Sequence, residues 1–239
     1  EASKAELIKS TEAASNGRVT VRFTAKGQPC FFVKIPAFNC EDIAPGGELG
    51  TGLHPAFLFN GTPKPYILIG QYLSSVIDGE YVSQPNRIPD ASKTYDQELA
   101  LAAATGTGFK VLSNWDWAAV SLWCMANGFQ PEGNTDWGRH HTSKWDTAVR
   151  YDGDAPGSAT GNGRTYTGTG PVKWNHNNHE SGICDMVGNV WERVSGLKLI
   201  DDIFHIAPDN GTYAESQYTN TGIAAPTSGT FSTRGTTTS

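Results

Sequence analysis

The stretch from Gly182 to Glu192, Gly-Ile-Cys-Asp-Met-Val-Gly-Asn-Val-Trp-Glu, restricts the fold of this chain more than any other. Small and apolar residues alternate there with polar ones, and Asp185 and Glu192 bracket Gly188, where the backbone is free to turn back on itself. Leu197-Lys198-Leu199-Ile200 and Ile203-Phe204-His205-Ile206 follow around Asp201-Asp202, the pattern of a tight hairpin. Two carboxylates at a bend rich in carbonyls suit a hard cation such as calcium; they serve equally as turn caps or as partners of Arg193 or Lys198. The expectation is a bent, acid-bracketed turn that locks the framework. It requires the segment around Trp191 to be packed, neither helical nor exposed coil.

Upstream the pattern is mixed. Residues 1–16 alternate charge with Ala5, Leu7, Ile8, Ala13 and Ala14, which suits a helix stopped by Gly17. Arg18 to Thr24 alternates as a half-buried strand, and Cys30 to Phe38 is apolar enough for a more central one. The glycine-rich loop 41–54 reads as exposed. Residues 55–59 and 66–72 read as strands joined through Asn60-Gly61, and Asp78-Gly79 marks a further hairpin. Thr94-Tyr95-Asp96-Gln97 has capping-box spacing for a helix ended by Gly106, and Ser113-Asn114-Trp115-Asp116 opens a second that stops at Asn127-Gly128.

From Phe129 to Glu180 the chain is loop-dominated, a length compact domains rarely carry without using it. Trp137, Trp145, Tyr151, Tyr166 and Trp174, with Asn175, are the candidate ligand-binding residues, since rings stack on apolar faces of sugars or proteins while amides and carboxylates read hydroxyls. The opposing reading is that the rings pin the loops to the core. Beyond Pro208 the composition turns to Thr, Ser, Gly and Ala, and an extended arm or connector is expected over 208–239. The expected division is 1–29 as an attachment helix and strand, 30–207 as the main domain, and the arm. Both ends read as cut.

With 18 Lys and Arg against 24 Asp and Glu, the net charge of −6 and the scattered cations argue against nucleic-acid binding. No apolar run is long enough to insert in a membrane. Cys30, Cys40, Cys124 and Cys184 are expected as reduced thiols, because a chain of this size does not need disulfides. His176, His179 and Cys184 carry zinc-type ligands without paired spacing, and backbone-bonded loop histidines are the commoner state.

Gly188-Asn189-Val190-Trp191-Glu192 resembles the signature of the formylglycine-generating-enzyme (sulfatase-modifying-factor) family, departing from it at Arg193, where the family usually has Trp. The resemblance implies an α+β, C-type-lectin-like fold with two helices, a small twisted antiparallel sheet and long irregular loops. It further implies calcium held by Asp185, the carbonyls of Gly188 and Val190, and Glu192. The family's copper chemistry needs a later cysteine pair, but no cysteine follows Cys184, and the usual Arg-Gly-Gly-Ser strand shrinks to Arg234-Gly235. No copper and no catalysis are therefore expected, and an oxidase with a missing C-terminus is kept as an alternative. Ile35-Pro36, the Asn114 to Ala119 helix start and Trp123-Cys124 are similar to phage tail and receptor-binding proteins and to the variable proteins of diversity-generating retroelements. That likeness implies a virion protein that binds a host-surface glycan or protein receptor, contacts other virion subunits and forms a homo-oligomer, a trimer being favoured. A module that only decorates the capsid or tail is the alternative.

Overall fold

The computed structural model describes residues 2–226. Its elements in order are α1 (Ala2–Ala14), β1 (Val19–Phe23), β2 (Pro29–Pro36), α2 (Cys40–Ile43), a 3₁₀ turn (Pro55–Phe57), β3 (Leu58–Phe59), β4 (Thr62–Pro63), β5 (Tyr66–Gly70), β6 (Ser75–Ile77), β7 (Glu80–Val82), α3 (Tyr95–Thr105), α4 (Asn114–Ala126), a 3₁₀ turn (Val172–Trp174), β8 (Leu197–Ile200), β9 (Ile203–Ile206), a 3₁₀ turn (Glu215–Gln217) and β10 (Thr219–Ala224). The class is α+β, with four α-helices and small antiparallel sheets among the described residues.

Two compact units share the chain. Of the described residues, the first takes 2–35, 68–111 and 123–193; the second takes 36–67, 112–122 and 194–226. In the first, β2 is the central strand of the order β1-β2-β5, as its apolar run predicts, and it pairs antiparallel with β1 through Val21↔Phe31 and Val19↔Val33. Val21, Cys30, Val33 and Ile69 are buried on this sheet, and a fully buried aliphatic side chain of that size stabilises by about 1.5–3 kcal/mol. Helix α1 packs on β1. Asp78 and Gly79 both take positive φ and close the β6–β7 hairpin, the geometry an Asp-Gly pair favours. In α3, Thr94 and Gln97 cap each other: the Thr94 amide donates to Gln97 Oε1 at 2.9 Å and the Gln97 amide to Thr94 Oγ1 at 3.3 Å.

The second unit holds the 3₁₀ turn at Pro55, with Ala56 and Phe57 completely buried. Asn60-Gly61 does turn the chain, but it joins the short β3 and β4 rather than residues 55–59 to 66–72. Asp209 explains that turn, its carboxylate accepting the amides of Asn60, Gly61 and Gly211. At the start of α4 the Asp116 amide donates to Ser113 Oγ, and the Ser113 amide donates back to Asp116 Oδ2. The Asp201-Asp202 hairpin forms as expected, with φ of 48° and 62° at its centre and Leu197↔Ile206 in register. Part of the arm expected beyond 208 behaves otherwise. Asp209 and Asn210 are buried, and β10 pairs antiparallel with β9, because backbone hydrogen bonding to an existing strand does not require apolar periodicity. The remainder of the arm, with Phe231 and Arg234-Gly235, lies outside the described residues. Helix α2 was not foreseen, although Asn39 and Asp42 carry its capping signature, the Asn39 amide donating to Asp42 Oδ2.

Candidate functional site: a loop layer held from within

Residues 129–193 of the first unit contain one short 3₁₀ turn and otherwise irregular chain, stitched by backbone bonds. The Ala148 amide donates to the Gly138 carbonyl, Tyr166 to Val149 and Tyr151 to Arg164, so Trp137, Val149, Tyr151 and Tyr166 belong to one hydrogen-bonded layer. Trp145 enters it through its neighbour Asp146, which pairs with Lys173; Lys173 also pairs with Glu132 at 3.1 Å.

The candidate binding residues divide by burial. Trp145 is 78% exposed and Trp137 37%, while Tyr151 and Tyr166 are half-buried. Trp174 is 1% exposed and Asn175 7%, with Asn175 Nδ2 donating to the His179 carbonyl. These two are corrected to core positions: the ring is pinned inside, and the amide is used by the loop itself. Val149 and Val172 of the same stretch are also exposed.

Around Gly188 the structure departs from the expected lock. Residues 190–194 form no helix or strand, and Trp191 is fully exposed. The acid-bracketed turn therefore does not fix the framework through Trp191. Asn189 does that work. Its amide lies along the backbone of buried Thr165, Oδ1 accepting from the Thr165 amide at 2.9 Å and Nδ2 donating to the Thr165 carbonyl at 3.1 Å. Gly188 takes φ of +75°, and a Cβ there would lie 2.2 Å from the Asn134 carbonyl oxygen. Glycine is required by both conformation and space.

Asp185 is buried, its Oδ2 accepting from the Gly168 amide at 2.8 Å; burial raises its carboxyl above the usual range, and that amide opposes the shift. Glu192 is raised to about 7 by desolvation and then by Asp185. The residue as a whole is solvent-exposed, which argues for a smaller displacement, but the direction follows from a second carboxyl nearby. Of the oxygens the resemblance assigns to calcium, the Gly188 carbonyl accepts from the Val190 amide. Two carboxyls and the Val190 carbonyl remain, against about six to eight oxygens in a filled calcium shell. Among the described residues no cluster of three or more His, Cys, Asp or Glu is placed to hold a metal. His176 and His179 accept backbone amides from Ile183 and Ser181, and burial lowers His176 to about 4.

The four cysteines are buried free thiols. Desolvation pushes Cys124 up to about 11 and Cys184 to about 12, the second with help from Asp185, so both stay protonated at neutral pH.

Arg150 is a site residue that nothing in its own sequence position sets apart from the other scattered cations. Its side chain is fully buried; Nε and Nη2 hold Asp152 in a bidentate pair at 3.0 and 2.6 Å, and Nη1 and Nη2 donate to the carbonyls of Ala155, Ser158 and Thr160. The available signal was the spacing of small and polar residues in Asp152-Gly-Asp-Ala-Pro-Gly-Ser-Ala-Thr-Gly-Asn162, a loop of oxygens following directly on a cation. No protein-family model matches the chain, and comparison with curated proteins finds no match.

Proposed function

We propose that this protein is a non-enzymatic binding module whose loop layer takes a host-surface glycan or protein receptor, displayed on a virion as a tail or receptor-binding subunit. The observation that carries the binding part is Trp145. A large ring left 78% in water, in a layer whose backbone is held by hydrogen bonds and by the Lys173 pairs, offers apolar area that a partner can bury without first ordering the loop. Trp137, Val149 and Val172 extend the same exposed apolar character. Raised, buried thiols support a role without copper or thiolate chemistry. The C-type-lectin-like frame remains part of the proposal. It is supported by the α+β class and the long loops, while the exposed Trp191 counts against reading it from the Gly188 to Glu192 signature. A glycan array with the intact chain tests the binding. Trp145→Ala is expected to abolish the signal without changing the melting temperature, whereas Trp174→Ala is expected to unfold the unit. Full binding by Trp145→Ala, or no glycan or cell bound by the wild type, refutes the proposal.

The subunit-packing alternative has an observation of its own. On the β8-β9-β10 sheet of the second unit, Leu199, Ile200 and Ile223 are all exposed. Sedimentation of the wild type against Leu199→Ser/Ile200→Ser decides it: a trimer that dissociates in the variant supports packing, and a monomer in both removes it.

A further inference from the structure

The loop from Asp152 to Asn162 is folded outside-in. Its carbonyls at 155, 158 and 160 point to the buried Arg150 guanidinium, and Asp152 turns its second oxygen back to the Asn162 amide at 2.7 Å. Three glycines permit this. A Cβ at Gly138 would meet Arg150 Cγ at 2.7 Å, one at Gly157 would meet Arg139 at 2.2 Å, and one at Gly161 would meet Asp152 Oδ2 at 2.5 Å, all at positive φ. What faces water is short: Asp154, Ala155, Pro156, Ala159, Thr160 and Asn162 are exposed.

The same guanidinium sits 5.7 Å from the centre of the Trp137 ring, and the Gly157 amide donates to the Trp137 carbonyl at 2.8 Å. Trp137 has φ of +50°, a conformation bulky residues rarely adopt and hold only when their surroundings impose it. One buried arginine thus fixes both an exposed ring and the polar loop beside it.

Charge decides what such a rim accepts. Residues 151–163 contain two acids and no base. Arg150 is engaged by Asp152 and by Asp154 at 3.6 Å, Arg139 by Asp136 at 2.7 Å, and Arg164 by Asn162 and the Pro89 carbonyl. An incoming carboxylate or sulfate would meet part-exposed Asp154, while Arg164, whose acceptors are neutral, has its fork turned to Asn162, the Pro89 carbonyl and the Tyr151 hydroxyl. A neutral sugar finds short polar groups for its hydroxyls and, for its apolar face, the part of the Trp137 ring that Arg150 and Gly163 leave uncovered.

We propose that Trp137 and the loop 152–162 form the specificity-determining rim of the binding layer, that the rim reads a neutral, hydroxyl-rich glycan, and that Arg150 is its positioning residue. This rests on the binding function proposed above. The test uses the intact chain on an array carrying neutral, sialylated and sulfated glycans, with hydrogen exchange followed over residues 151–163. Wild type is expected to bind neutral glycans. Arg150→Lys, which keeps the charge but not the fork, is expected to lose exchange protection across the loop and to bind at least tenfold more weakly. Ala159→Trp is expected to weaken binding as much while protection and melting temperature stay unchanged, a separation that a purely structural role of the loop would not produce. Binding restricted to sialylated or sulfated glycans overturns the inference, as does retained protection in Arg150→Lys. Neutral-glycan binding lost in Trp145→Ala but untouched by Ala159→Trp also overturns it and leaves the binding function standing; a wild type that binds no glycan or cell removes that function itself.

Discussion

Replacing Asn189 by alanine is the sharpest test of what holds the loop layer together. The change removes the two hydrogen bonds that its amide makes to the Thr165 backbone, and Thr165 has no solvent exposure to replace them. Each orphaned buried group costs about 1–3 kcal/mol. Alanine must also occupy φ of +67°, where asparagine is tolerated, at about 1 kcal/mol. The sum, about 3–7 kcal/mol, is a large part of the roughly 5–15 kcal/mol that holds a typical domain. Two further variants divide it. Asn189→Gly relieves the backbone strain alone and should recover about 1 kcal/mol. Asn189→Asp keeps the acceptor for the Thr165 amide but turns a carboxylate oxygen toward the Thr165 carbonyl, so it should recover little. The assay is native-state hydrogen exchange read at the Thr165 amide, beside urea unfolding of the intact chain. A loss below about 1 kcal/mol for Asn189→Ala, or full protection of Thr165 in that variant, refutes the assignment of Asn189 as the lock.

Three other outcomes are expected. The Arg150 guanidinium beside Asp152 lowers its carboxyl to about 2 from an ordinary 3.8; the loop's contribution is therefore complete above about pH 4 and lost as pH falls toward 2, seen as exchange protection over 152–162 that fades in acid. Glu192 behaves oppositely: its folded carboxyl lies above the ordinary 4.5, by less than a buried group's would because the residue is exposed, so the unfolded chain ionises first, stability falls as pH rises above about 4.5, and Glu192→Gln should flatten that slope in urea midpoints measured between about pH 4 and 7. Asp202→Gly, at the hairpin position with φ of 62°, should raise the melting temperature slightly, because the left-handed penalty that glycine removes, about 1–2 kcal/mol, outweighs the roughly 0.4–1 kcal/mol of added unfolded-chain entropy; an unchanged or lowered melting temperature contradicts the turn geometry.

Some of this molecule was already decided along the chain. The hairpin turns at Asp78-Gly79 and Asp201-Asp202, the Thr94 and Gln97 cap, the Ser113 and Asp116 cap and the stop at Gly128 each depend on residues no more than a few positions apart, so their chemistry is complete in the local sequence. The central place of β2 was legible for a related reason, since Cys30 to Ile35 is apolar at every position but Lys34, as a strand with a neighbour on each edge tends to be. Tertiary structure alone sorted the tryptophans, burying Trp174 and leaving Trp145 and Trp191 in water, because a ring's burial depends on what distant segments bring to it. It also joined Asn189 to Thr165 across 24 positions and drew residues 219–224 into a sheet despite their polar composition. Arg150 shows the boundary most plainly: the oxygens that surround it are backbone carbonyls, which every residue possesses, so only the path of the folded chain makes them a site.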